Sequence, residues 1–143
     1  MKKILILSAF IMNLWALTQE NLSIESAYIR QTPPNAKATA IFLTIKNDSD
    51  KDISLLKVKT NLSEISELHT HTNENGKMTM KEVPNIEIKA HSSTELKPGG
   101  LHIMIFDIKN QIDENTQTDL TLYFDNNQSI ELKNIPSKEL MKH

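Results

Sequence analysis

Residues 65–83 read ISELHTHTNENGKMTMKEV, two runs rich in Thr, His and Met on either side of Asn75-Gly76. Asn and Gly both tolerate the positive φ that a two-residue β-hairpin loop requires, so this stretch predicts a pair of antiparallel strands. With that loop, His71 lies directly opposite Met80, and His69 lies diagonal to Met80 on the same face. A three- or four-residue loop would change this parity. The predicted hairpin brings imidazole and thioether side chains together.

The rest of the chain consists of short runs rich in Ile, Val, Thr, Leu and Tyr, separated by Asn, Asp, Gly and Pro. No segment shows sustained helical periodicity, and the runs predict β-strands. The predicted strands cover residues 24–30, 39–46, 53–58, 65–71, 78–83, 86–90, 93–97, 101–108, 120–124 and 129–132. Many short strands with turn signals between them indicate an all-β antiparallel sandwich or barrel.

Length and composition favour one small domain. The chain has 143 residues, of which 38% are hydrophobic, enough for a single modest core. Its net charge is -2 and its lysines are scattered, so no basic stripe for nucleic acid is present and no nucleic-acid partner is expected. No cysteine is present to form a disulfide or carry a lipid. We expect a monomer that is stabilised by its core alone.

The first 18 residues predict a secretory signal peptide. Met1-Lys2-Lys3 precedes an apolar run over residues 4–17, and polar residues follow from Thr18. A membrane-spanning helix needs about 20 apolar residues, so no permanent membrane anchor is expected. Cleavage after Thr18 would leave an exported domain of residues 19–143, although Thr18 fits the position before the cut poorly.

A second motif supplies two more candidate ligands. Pro98-Gly99-Gly100 predicts a turn that leads directly into Leu101-His102-Ile103-Met104. Side chains alternate along a strand, so His102 and Met104 project to one side while the aliphatic residues project to the other. Such a strand can bury one face in the core and present ligands on the other.

The candidate ligands are therefore His69, Met80, His102 and Met104. Thioether sulfur is uncharged and polarizable and prefers Cu(I), whereas imidazole binds Cu(I), Cu(II) and zinc. Two Met ligands discriminate against zinc, and a neutral ligand set should hold its ion less tightly than a thiolate cage. The pattern predicts a transferable Cu(I) ion, and a secondary Cu(II) site stays open. Taken singly, each of these residues is more often core or solvated than a metal ligand.

Other functions fit the residues less well. Blue-copper electron transfer needs a Cys thiolate, which the chain lacks. Catalytic zinc normally takes three His or carboxylate ligands, and neither a Gly-x-Ser-x-Gly nor a His-Glu-x-x-His motif is present, so an enzyme is not expected. A secreted β-sandwich for adhesion or interaction, without a metal, remains the alternative.

The spacing of the four candidates closely resembles that of the periplasmic copper chaperones of the PCu(A)C type. Those proteins carry His, ten residues, Met, twenty-one residues and His-x-Met, which matches the candidates without a gap. Flanking segments agree as well: Glu67-Leu68-His69, residues 76–80 (GKMTM) and residues 95–104 (ELKPGGLHIM). The resemblance extends from about Ala27 to Phe124. The family often has a Met soon after the first His, where this chain offers His71.

This resemblance implies a cupredoxin-like antiparallel Greek-key β-sandwich or barrel, located in the periplasm. It implies a copper chaperone that delivers Cu(I) to a copper-accepting protein, either the copper subunit of cytochrome c oxidase or another assembly factor. It assigns the ligand role to Met80, so Met78 is expected to pack or to lie beside the site. His71 is either an auxiliary ligand or a solvated side chain, and we favour the second. His91, Met141 and His143 are expected to be solvated.

Overall fold

The structure, a computed structural model, describes residues 21–140 and is all-β over that range. It contains ten strands within those residues: β1 (Leu22–Arg30), β2 (Ala38–Asn47), β3 (Ile53–Thr60), β4 (Ile65–Glu74), β5 (Lys77–Glu82), β6 (Ile86–Ile88), β7 (Ser92–Leu96), β8 (His102–Phe106), β9 (Gln117–Phe124) and β10 (Ser129–Lys138). Each predicted strand corresponds to one of these, so the all-β prediction is confirmed. The predicted signal peptide lies outside the described residues.

The strands form one hydrogen-bonded path in the order β5-β4-β8-β2-β1-β10-β9-β3-β6, and β7 also pairs with β2. Its pairings are antiparallel except for β1 with β10, where Ile29 and Arg30 lie beside Ser137 and Lys138 in parallel. The sheet is therefore mixed. The parallel contact joins the first half of the path, which carries the candidate ligands, to the second half.

The hydrophobic core lies between these two halves. Buried residues from the first half, including Ile41, Leu68 and Ile103, form one cluster with residues from the second half, including Leu55 and Leu120. Two strand faces that contribute to one cluster must pack against each other, which is the arrangement of a β-sandwich. The core is aliphatic, with Phe124 as its aromatic member.

Register shifts interrupt three of the strand pairings within residues 21–140, and that of β3 with β9 lies between Leu55 and Lys57. The register of β1 shifts between Glu25 and Tyr28, where Ser26 has a φ of 58°, and that of β10 shifts between Leu132 and Ile135, near Asn134 with a φ of 55°. Such bulges bend a strand and strengthen its local twist, as expected where strands pass between two packed layers. Within residues 21–140, nothing forms a helix of the length and hydropathy that crossing a bilayer requires.

Candidate metal centre

The candidate ligands come from three neighbouring strands at one end of the sheet. In the hairpin of β4 and β5, Glu74 pairs with Lys77 and His71 pairs with Met80, so the predicted two-residue loop and its register are confirmed. Asn75 and Gly76 have the expected positive φ values of 55° and 79°. On the other side of β4, His69 pairs directly with His102 of β8. This last pairing brings the two halves of the sequence pattern together.

Alternation along β8 separates the ligands from the core, as predicted. Ile103 and Ile105 are fully buried in the core cluster, and His102 and Met104 project from the opposite face. Leu68 of β4 likewise joins the core, whereas its neighbour His69 faces the ring of His102 at a centroid distance of 5.7 Å. The two strands thus present their aliphatic residues inward and their histidines together on the outer face.

The His102 imidazole is held in one tautomer. Its side chain is buried, with the residue only 3% exposed, and its Nδ1 lies 2.9 Å from the carbonyl oxygen of Gly100. A carbonyl only accepts, so Nδ1 carries the hydrogen and Nε2 keeps its lone pair in the neutral ring. Burial lowers the pKa of His102, the nearby His71 and His69 lower it further, and the Gly100 hydrogen bond opposes them. A neutral ring with a free Nε2 can bind a metal ion.

The His69 imidazole is held in the opposite tautomer, with its hydrogen on Nε2. Its Nε2 donates to the Glu67 carboxylate at 2.9 Å, which leaves the lone pair on Nδ1. That Nδ1 is buried and has no hydrogen-bond partner. A buried, unpaired polar atom is unfavourable, and metal-binding histidines characteristically donate their other N–H to a carboxylate or a carbonyl. His69 and His102 both have this arrangement, so both fit metal binding.

The two methionines lie beside an open groove of about 840 Å³. Met80, His102 and Met104 line it together with His71, and the turn at Pro98 and Gly99 forms part of its rim. Met80 is 49% exposed, so its sulfur can be reached from solvent. His69 is only 8% exposed, does not line the groove, and adjoins it through the His102 ring. The structure therefore brings three of the four candidates to the groove and places the fourth directly behind it.

Aromatic rings surround the histidines, and these contacts could not be recognised in the sequence. Phe42 of β2 lies 6.3 Å from the His102 ring and Phe106 lies 5.8 Å from the His69 ring, measured between centroids. Sequence pattern alone likewise does not assign a role to Glu67 and Gly100, which orient the imidazoles. Each lies two residues before the histidine it holds, and the i and i+2 positions of a strand share a face. That spacing was the available signal for Glu67.

The remaining His and Met residues take different positions. His71 is half-buried, and its ring lies 5.1 Å from the His102 ring, so the prediction of a merely solvated side chain does not describe it fully. Met78 is 57% exposed on β5 and is not part of the groove lining. His91 is exposed, and its Nε2 lies 2.6 Å from the Asp50 carboxylate. Met141 and His143 lie outside the described residues.

A metal site made only of His, Asp and Glu side chains is not found in the part of the chain that the structure describes. Among residues 21–140, no three His, Asp or Glu side chains are grouped closely enough to hold a metal ion. Two imidazoles alone leave a metal under-coordinated, and the thioethers beside them are the available further donors. The donor set thus fits a soft ion better than zinc, magnesium or calcium.

Comparison with known families agrees with this geometry. The sequence model of the family described as "Putative lipoprotein LpqE-like" matches residues 22–136. The chain belongs to the LpqE-like family. This LpqE-like chain is also 28% identical, over 91 residues, to the uncharacterized protein RP573 of Rickettsia prowazekii (strain Madrid E). The matched segment is 62% of this chain and half of that protein, so the chain spans only about half the length of its curated relative.

Solved structures with the same fold are PCuAC domains. The copper-bound PCuAC domain from PmoF2 matches with a TM-score of 0.68 and 17% identity, covering 82% of this chain and 92% of that domain. The solution structure of CuI-DR1885 from Deinococcus radiodurans matches with a TM-score of 0.62 and 26% identity, covering 81% and 75%. The predicted PCu(A)C-type family and the cupredoxin-like fold are confirmed for this LpqE-like protein.

Proposed function

We propose that this LpqE-like protein is a copper chaperone that binds Cu(I) through His69, Met80, His102 and Met104. The observation that carries this proposal is the pair of facing imidazoles, each with one N–H fixed and the other nitrogen free. Thioethers of Met80 and Met104 lie on the groove in front of them. Soft sulfur donors with neutral imidazoles suit Cu(I) above other biological metals.

The exposure of the site supports a carrier in preference to a resident metal. Bound Cu(I) would lie where the groove opens, next to a half-exposed Met80. An acceptor can approach through the groove and replace the ligands one at a time, with its own thiolates or thioethers forming bonds as His and Met bonds break. Copper keeps its charge throughout, so no electron or proton is needed. The similar structures are copper-binding domains, which favours a carrier over an enzyme.

We also propose export to the periplasm, with residues 1–18 as a cleaved signal peptide and residues 19–143 as the mature copper-binding domain. The family's description as lipoproteins supports export, and the absence of cysteine in this chain argues against a lipid anchor of its own. Thioethers do not form disulfides, so the ligand set suits an oxidising compartment. The proposed acceptor is the copper subunit of cytochrome c oxidase or another assembly factor.

Titration of the mature protein with Cu(I), under reducing conditions and against a competing chelator, tests the copper site. Met80→Leu and Met104→Leu keep side-chain volume but remove sulfur, and each should weaken Cu(I) binding by about tenfold, ~1.4 kcal/mol. Met78→Leu is the matched control on the same strand and should bind as the parent does. The double variant His102→Ala, Met104→Ala should lose binding.

Two results would contradict the proposal. Unchanged Cu(I) binding in the double variant would exclude the proposed ligands. Equal retention of Zn(II) and Cu(I) by the parent after dialysis would contradict the role of the thioethers.

A further inference from the structure

His71 lies on β4, between Met80 of the edge strand β5 and the buried His102. It pairs with Met80 across β4 and β5, and its ring centroid lies 5.1 Å from that of His102. The corresponding distance from His69 to His102 is longer, at 5.7 Å. His102 therefore contacts two imidazoles on β4: that of His69, with which it pairs directly, and that of His71, two residues further along the strand.

The two flanking imidazoles differ in access. His71 is half-buried and lines the groove with Met80, His102 and Met104. His69 lies behind the groove and is almost fully buried. An ion that enters from the groove meets His71 before it can reach His69.

The two imidazole rings also differ in their freedom to rotate. His69 is tied to Glu67 and His102 to Gly100, whereas no hydrogen bond or ion pair engages the His71 ring among the described residues. Rotation of His71 about its side-chain torsions therefore breaks no hydrogen bond. A ligand that must bind and release repeatedly needs this freedom, and a permanent ligand does not.

The geometry does not favour binding of one ion by all three imidazoles at the same time. Among residues 21–140, no group of three His, Asp or Glu side chains is close enough to share one ion. His102 nevertheless contacts the ring of each of the other two. The arrangement fits two overlapping ligand sets that have His102 in common.

We propose that His71 is an exchange ligand that passes Cu(I) between the groove and the buried site. In the outer set, His71, Met80 and His102 hold the ion, and in the inner set the four proposed ligands His69, Met80, His102 and Met104 hold it. In the transfer, the Cu–N bond to His71 breaks as the Cu–N bond to His69 forms, Met80 and His102 stay bound, and the Met104 sulfur joins the ion. All donors are neutral and copper stays Cu(I), so no proton or electron moves. The inference rests on the proposed copper-chaperone function.

The test compares equilibrium binding with transfer rate in the mature full-length protein. His71→Phe keeps a planar ring but removes the donor nitrogens, and His71→Met restores a soft donor. Stopped-flow mixing of the Cu(I)-loaded protein with a chromophoric Cu(I) chelator measures transfer, and competition measures affinity. We expect His71→Phe to transfer about tenfold more slowly while its affinity changes by less than about threefold. His71→Met should recover most of the rate.

His91→Phe serves as the matched control, because His91 is exposed and bound to Asp50, outside the groove lining. A parental transfer rate in His71→Phe, with normal Cu(I) binding by the parent, would overturn this inference alone. Loss of affinity by about tenfold or more would make His71 a permanent ligand and would also overturn it. Failure of the parent to bind Cu(I) would overturn the proposed function and the inference together.

Discussion

At the level of single residues, His69 lies in an unfavourable environment in the absence of a metal. Its Nδ1 is buried without a hydrogen-bond partner, a situation that costs about 1–3 kcal/mol. The ring is nevertheless fixed by Glu67 and packed between Phe106 and His102. The metal-free protein therefore keeps an unpaired nitrogen on His69 at the expense of its own stability, which fits the proposed ligand role.

Replacement of His69 by Phe tests this cost. Phe has a similar shape, suits the ring contacts with Phe106 and His102, and has no unpaired nitrogen. We expect His69→Phe to raise the free energy of unfolding of the metal-free protein by about 1 kcal/mol, measured by urea denaturation. Cu(I) affinity should fall by about tenfold or more. A less stable variant would mean that the His69–Glu67 contact outweighs the unpaired Nδ1.

The proposed ligands could be recognised in the sequence more readily than the groups that orient them. His102 and Met104 follow a turn signal and alternate with aliphatic residues, which local pattern reveals. Glu67 and the Gly100 carbonyl act through particular side-chain torsions, which sequence pattern does not specify. The contact of His69 with His102 depends on the pairing of β4 with β8, across more than thirty residues of chain. Local signals carry no information about such a pairing.

Among the elements, the hairpin of β4 and β5 was predicted most completely. The loop residues Asn75 and Gly76 specify both the turn and the register, so the pairing of His71 with Met80 followed from the sequence. Strand ends were less predictable. The strand predicted over residues 101–108 ends at Phe106, because Asp107 has a φ of 57° that interrupts the extended backbone. The last strand continues to Lys138, beyond the predicted 129–132, because a bulge interrupts its pattern without ending it.

The turn before β8 offers a matched test of backbone conformation. Gly99 has a φ of +84°, whereas a Cβ on Gly100 would make only ordinary contacts of 3.6 Å with Lys97. We expect Gly99→Ala to lower the free energy of unfolding by about 1–2 kcal/mol, because an L-residue resists that φ. Gly100→Ala should change it by less than about 0.5 kcal/mol. Urea denaturation of both variants measures this, and equal effects would contradict the conformational argument.

At the scale of the whole molecule, the number of strands was predictable and their order was not. Composition and turn signals predict the strands. The strand order, which begins at β5 and ends at β6, places many strands beside partners that are distant in sequence. The parallel pairing of β1 with β10 unites the two ends of the described chain. Nothing in either strand's own residues indicates that partner, because parallel and antiparallel neighbours make similar demands on a half-buried strand.

The core should determine global stability independently of the metal site. Ile103 is fully buried between the proposed ligands His102 and Met104, and Ile103→Ala should lower the free energy of unfolding by about 2–5 kcal/mol in the metal-free protein. Leu56 is 47% exposed, so Leu56→Ala is the control and should cost about 1 kcal/mol or less. Cu(I) affinity of folded Ile103→Ala, measured at low temperature, should stay within about threefold of the parent. A large loss would show that the two faces of β8 are coupled.

The alternation along β4 and β8 has a consequence for how this fold diversifies. Leu68, Ile103 and Ile105 stabilise the sandwich from one face, while His102 and Met104 line the groove on the other. A lineage exposed to a different metal supply can exchange thioethers for imidazoles or carboxylates in the outer row and leave the inner row intact. Metal preference can thus drift while architecture persists, and sequence identity between relatives can fall far before the shape changes.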